Sequence, residues 1–330
     1  MVNREYKMNT EDKGMEEISF KVSVIMPVYN HEAYVAQAIE GVLMQKTDFK
    51  YELIIGEDCS TDSSRKIVQE YQSRYPDIIK VNYHSSNKGG YANVRNLCRK
   101  AKGKYWAVCE GDDYWIDCEK LQKQVDFLES HQDYSAVYHN VLCVDKRGRV
   151  CKRRSINKYP IKEERTYTFK DLKGFALPGQ AASLVCRNIY DILGTKENIK
   201  LFERCMCNGD HKICAVLACA GKIYFGNEAM ACHRVVLHEG NSWSAKMYNK
   251  NMLLSVYTMY REVQALIKTI YNKDIGSMSV ERHWYLESKK YMQKEPSISN
   301  ISIYVRMFMH IYGGRIKDKI LSLCDRSNEK

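Results

Sequence analysis

The sequence predicts an α/β fold built around a mostly parallel sheet flanked by helices. Three observations carry this. Short apolar runs alternate with stretches of helical periodicity from Val22 to Cys109; each run is short enough to be a strand; and polar clusters stand where three of the runs end. Strand–helix repeats of this kind imply parallel strands joined by right-handed crossovers.

The elements follow in order. Val22–Val28 is an apolar run broken only by Ser23 and Pro27, as expected of a strand covered on both faces. Tyr34, Val35, Ala38, Ile39, Val42 and Leu43 then recur at helical spacing. Leu53–Ile55 is a second strand, ending in Gly56-Glu57-Asp58, and Ser60, Thr61 and Asp62 are N-cap candidates for a helix bearing Ile67, Val68 and Tyr71. Ile79–Tyr83 is a third strand, Asn87 to Gly90 a loop, and Tyr91 to Ala101 a helix. Tyr105–Cys109 is a fourth strand that runs into Glu110-Gly111-Asp112-Asp113. Further on, Ser135–Val144, Ala182–Cys186 and Lys222–Phe225 read as strands or short apolar segments, with a helix near Asp210–Cys219. From Ala245 the pattern is helical, with Met252, Val256, Met259 and Tyr260 on one face. This divides the chain into a polar segment 1–19, an α/β domain 20–245 and a helical extension 246–330.

The bulk composition narrows the function classes. At 45% hydrophobic and 28% charged, the 330 residues suit one large globular domain with an appendage. The polar start has no apolar stretch of the signal-peptide kind, and no run of about 18 apolar residues could span a membrane. The 13 cysteines lack CxxC spacing and read as reduced, mostly buried thiols, which points to the cytoplasm. The net charge of +11 is uneven: residues 141–170 and 245–330 carry +7 each. A basic excess of this kind suits a phosphate-bearing substrate or an anionic membrane surface as well as a solvated face. Basic residues are not interleaved with aromatics as in a nucleic-acid module, so no nucleic-acid partner is expected.

The polar clusters lie where open parallel sheets bind ligands, beyond the carboxyl ends of the strands. Glu110, Asp112 and Asp113 supply hard oxygen donors of the type that hold Mg2+ or Mn2+ beside a substrate phosphate. A turn built for geometry alone would also use Asp and Gly. No GxGxxG, GxxxxGK[ST] or GxSxG motif is present, which excludes the usual dinucleotide, P-loop and hydrolase signatures.

The order VSVIMPVYN, GEDCSTDSS, NKGGYANVRN and GKYWAVCEGDDYW resembles family 2 glycosyltransferases of the GT-A fold, over roughly residues 20–245. The resemblance implies that Pro27, Tyr29 and Asn30 line a nucleotide pocket, that Asp58 binds the nucleobase with Asp62 completing its motif, and that Arg95 lies near the nucleotide. It implies that Glu110 and Asp112 fill a D-x-D-like motif. Asp112 would hold Mg2+ or Mn2+ on the donor diphosphate, and Glu110 would contact sugar or ribose. Asp210, after Asn208-Gly209, resembles the family's catalytic base. His233-Arg234, His238 and Gly240 to Ser244 resemble a loop that closes over the diphosphate, with Arg234 or His238 assisting it. The implied activity is inverting transfer from a nucleoside-diphosphate sugar, a UDP-sugar above others, to an acceptor hydroxyl. The implied setting is surface-polysaccharide synthesis on a lipid-linked acceptor. Met307, Met309, His310 and Ile311, ahead of Arg315, Lys317 and Lys319, would dock the extension on the inner face of the membrane. The competing readings are a nucleotidyltransferase, which would need a Gly-rich loop after the first strand, and a non-catalytic sugar-nucleotide binder, which would lack the acids.

Overall fold

The computed structural model describes residues 20–151, 162–173, 176–206, 209–236 and 253–276, with scattered positions between 281 and 312. Its first half is three strand–helix units and a fourth strand: β1 (Val22–Val28), α1 (Val35–Leu43), β2 (Tyr51–Glu57), α2 (Ser64–Arg74), β3 (Ile79–Tyr83), α3 (Gly90–Lys100) and β4 (Tyr105–Val108). Next come β5 (Tyr114–Trp115), α4 (Lys120–Ser130), β6 (Tyr134–Val144), β7 (Arg165–Tyr167), a single 3-10 turn Ala181–Ser183 and β8 (Val185–Arg187). The chain continues through α5 (Ile189–Leu193), α6 (Lys196–Arg204), α7 (Gly209–Ala220), β9 (Lys222–Arg234) and α8 (Leu253–Tyr271).

All nine strands form one sheet in the order β3-β2-β1-β4-β8-β6-β9-β5, with β7 also on β9. The expected parallel arrangement holds from β3 to β4. Beyond β4 the sheet is mixed, because β8 runs antiparallel to both β4 and β6 while β6 and β9 are parallel. Strand alternation sends side chains to two cores. Val22, Val24, Met26 and Val28 of β1 join Leu53, Ile55 and the buried faces of α1, α2 and α4. Ile25, Ile54 and Trp106 point the other way, into a core shared with α3, α5, α6, α7 and α8. Val263, Leu266 and Ile267 place α8 firmly in that second core.

Two elements differ instructively from their sequence pattern. Helix α2 begins at Ser64, and Ser63, the residue just before it, makes no side-chain capping bond. Asp62 caps it from one step further back, one oxygen accepting the Ser64 N–H at 2.9 Å and the other tying in the β1 loop through the Glu32 N–H at 3.0 Å. Strand β9 does not stop at Phe225. Gly226-Asn227-Glu228 interrupts its apolar run, but the irregularity is absorbed by register shifts against β6, where the Asn140 amide donates to the Asn227 carbonyl at 2.7 Å. The longer strand carries His233 and Arg234 to the polar edge of the sheet. The eleven cysteines among the described residues are all free. No helix among these residues is long and apolar enough to cross a membrane.

Candidate active site

The site forms where β1, β2, β4 and β9 end. The β1 and β2 loops are stitched together: the Asn30 amide N–H donates to Ser60 Oγ at 3.1 Å, and Asn30 Oδ1 accepts the Thr61 N–H at 2.8 Å. Asn30 takes a left-handed backbone, φ 55°, which Asn tolerates better than most residues. Pro27 and Tyr29 beside it are half-buried. Glu57 is fully buried, accepting from the Ser60 N–H and from the Arg65 guanidinium. Asp58 is 1% exposed, and its two oxygens accept the main-chain N–H groups of Lys88 and Gly89 at 2.7 and 2.9 Å. It therefore shapes the loop before α3 and does not lie open in the pocket. Arg95 stands on α3 over the Tyr91 ring, with its Nε buried and unbonded.

The acidic turn after β4 is held from both sides. Gly111 N–H donates to the Pro27 carbonyl at 3.1 Å, pinning the turn to the end of β1. β5 follows at once and pairs with Cys232 and Ala231 of β9, which brings residues 112–115 against 231–234. Asp113 is 1% exposed; it accepts from Gln180 Nε2 at 2.8 Å, from the Arg234 N–H at 2.8 Å, and contacts His233 Nδ1 at 3.2 Å. Asp113 is thus a structural clasp. Asp112 keeps its carboxylate in the cleft, 25% exposed, with His31 Nε2 at 4.0 Å.

Asp210 opens α7 and is exposed. The Glu110 carboxyl is held well above the usual range by desolvation, then by Asp210, Asp113 and Asp112. Asp112 is raised by desolvation with His31 opposing, and Asp210 by desolvation with His233 opposing. Crowded carboxylates of this kind favour a bound cation. Among the described residues, no group of three or more His, Cys, Asp or Glu could by itself hold a metal ion. The donor set instead fits a hard divalent cation that takes one or two carboxylates and completes its shell with water and substrate phosphate.

Two supports lay outside the sequence reading. Gln180 is fixed by accepting the Ala182 N–H at 2.6 Å, so its amide nitrogen faces Asp113 and His233. Lys212 is buried two residues past Asp210 and donates to the carbonyls of Phe202 and Cys205 at 3.1 Å, tying the end of α6 to the start of α7. Neither sits in a recognisable motif; only the fold brings them in. Arg234 departs from its expected place on the diphosphate, since it is 5% exposed and each guanidinium nitrogen donates to the protein. His238, Asn208 and Gly240 to Ser244, and Met307, His310, Ile311, Arg315, Lys317 and Lys319 of the extension, lie outside the described residues.

Sheet order, helical layers and the acidic turn at the strand ends define a GT-A-type α/β protein. The chain belongs to glycosyl transferase family 2, whose sequence signature matches residues 23–192. Among its relatives, protein Rv1520 of Mycobacterium tuberculosis is 39% identical over 127 residues, 38% of this chain and 37% of that protein. The glycosyltransferase MJ1057 of Methanocaldococcus jannaschii is 30% identical over 152 residues, 46% of this chain and 51% of that one. The poly(ribitol-phosphate) beta-N-acetylglucosaminyltransferase TarS of Staphylococcus aureus is 33% identical over 132 residues, 39% of this chain and 21% of TarS. The chain thus spans 21% to 51% of the length of these curated relatives. The crystal structure of S. aureus TarS 1-349 in complex with UDP-GlcNAc superposes with a TM-score of 0.63 at 18% identity, covering 88% of this chain and 80% of that one. That likeness shows a shared fold. Asp210 and Arg234 lie beyond the family match.

Proposed function

We propose that this protein is an inverting glycosyltransferase that moves a sugar from a nucleoside-diphosphate sugar, a UDP-sugar above others, to the hydroxyl of a saccharide acceptor. The observation that carries the reading is the acidic turn Glu110–Asp113 at the end of β4, pinned to the β1 loop by the Gly111 N–H on the Pro27 carbonyl and to β9 by the Arg234 N–H on Asp113, in a chain of glycosyl transferase family 2. In this reading the turn serves the donor, and Asp210, exposed at the start of α7, serves the acceptor.

In this reading the loops of Pro27, Tyr29 and Asn30 receive the nucleoside, with Asp58 fixing the wall opposite and Arg95 adding positive charge. Glu110 contacts the sugar or ribose. Asp112 would hold Mg2+ or Mn2+, which neutralises the charge developing on the departing diphosphate. Asp210, exposed at the start of α7, takes the proton from the acceptor hydroxyl. Attack from the face opposite the diphosphate inverts the anomeric carbon.

The relatives support a role in surface-polysaccharide synthesis, TarS being named for transfer to poly(ribitol-phosphate). A lipid-linked acceptor fits a protein at the inner face of the membrane. Ile298, Ile301, Val305 and Met309 recur at helical spacing and are all exposed, Ile298 to 90%, in a segment with a basic excess. An apolar stripe with basic surroundings suits an anionic bilayer.

A screen of nucleotide sugars, read as nucleoside diphosphate released with and without manganese, tests the reading. Manganese-dependent turnover of a UDP-sugar, increased by a saccharide acceptor, is the expected result. A chain that consumes no nucleotide sugar with any acceptor contradicts it.

A further inference from the structure

Arg234 is the most heavily engaged cation at the edge of the site. Its Nε donates to the Asp112 carbonyl at 3.0 Å, Nη1 to the Asp145 carbonyl at 3.0 Å, and Nη2 to Gln37 Oε1 at 2.9 Å. Its guanidinium lies 4.3 Å from the centroid of the Tyr34 ring and 5.4 Å from that of Tyr114. The main-chain N–H of the same residue donates to Asp113 Oδ1 at 2.8 Å. One residue therefore grips the acidic turn twice, once at the Asp112 backbone and once at the Asp113 carboxylate. It also joins that turn to α1 through Tyr34 and Gln37, and to the end of β6 through Asp145.

We infer that Arg234 is a positioning residue that sets the Asp112 carboxylate for the cation, and that it does not bind the donor diphosphate itself. Three arguments support this. Its three nitrogens already have protein acceptors, and 5% exposure leaves no open face for a phosphate. The planar fork is what lets one side chain hold three acceptors on three separate elements, which a lysine cannot reproduce. A hydrogen bond to the carbonyl of a ligating residue restricts the backbone that aims its carboxylate, and loss of such outer partners typically weakens metal binding about 10- to 100-fold.

The inference rests on the nucleotide-sugar site proposed above, and the test separates the two. UDP is titrated into full-length protein in manganese and again in EDTA, for the parent, Arg234→Ala and Arg234→Lys, with thermal melts to confirm folding. Positioning through Asp112 predicts that both variants lose about tenfold or more in UDP affinity with manganese, need more manganese for half-saturation, and stay within about twofold of the parent in EDTA. Arg234→Lys keeps the charge and most of the volume, so it carries the test if Arg234→Ala fails to fold. A direct phosphate contact would show as equal losses in manganese and EDTA, or as restoration by Arg234→Lys; either result overturns the inference, as does a variant that binds like the parent. A parent protein that binds neither UDP nor GDP in manganese overturns the donor site itself, and the inference with it.

Discussion

A β-carbon added to Gly111 would stand 2.7 Å from Nδ1 of His31, closer than real contacts allow. The acidic turn and the β1 loop therefore pack closely because the residue before Asp112 has no side chain. Gly111→Ala is expected to push the turn off the β1 end. UDP affinity in manganese should fall about tenfold or more, against a stability loss of about 1–3 kcal/mol, the usual cost of overpacking. Calorimetric titration beside urea unfolding checks this. A variant with unchanged affinity would show that the close approach has no bearing on the site.

Asp112→Asn tests the cation. A neutral amide is a poor ligand for a hard divalent ion. Turnover should be abolished and the manganese-dependent part of nucleotide binding lost. Activity equal to the parent at saturating manganese would remove Asp112 from that role.

Lys120 gives a pH test of the fold. It is fully buried, 4.1 Å from the centroid of the Trp115 ring, and donates to Gln124 Oε1 at 2.8 Å. Burial pulls its pKa from 10.5 down to about 7. Below pH 7 the folded protein carries a buried charge; between about 7 and 10.5 the unfolded chain binds a proton that the folded chain does not. The lysine therefore costs most stability at low pH, and that cost fades as pH rises through this window. Lys120→Met should gain about 2 kcal/mol or more on the parent between pH 9.5 and pH 6 in urea unfolding, at about 1.4 kcal/mol per pKa unit. A difference independent of pH contradicts the shift.

The exposed stripe is tested with Ile298→Glu and Ile301→Glu together. The pair should abolish sedimentation with phosphatidylglycerol liposomes at low salt, where attraction is strongest, and leave UDP binding unchanged. If the parent ignores such liposomes, the membrane proposal fails.

Much of the first half was legible in the sequence because its signal is local. The β1 and β3 boundaries follow directly from apolar runs, and the turn after β4 shows itself through three acids in four residues. The second half was not, because its contacts are long-range. β9 hides beyond Gly226, and nothing in the neighbourhood of Gln180 or Lys212 indicates that one will orient His233 and the other fix the start of the Asp210 helix. Arg234 was visible as a basic residue in a familiar setting, but the three acceptors that surround it come from α1, the acidic turn and the end of β6.

Asp210→Asn separates the acceptor's base from the donor site. UDP is expected to bind the variant in manganese as it binds the parent, while sugar transfer falls by about 10²-fold or more, the scale of a lost general base. Transfer at the parent rate would show that Asp210 takes no proton, and an equal loss of nucleotide affinity would make it a structural residue. Either result contradicts the account.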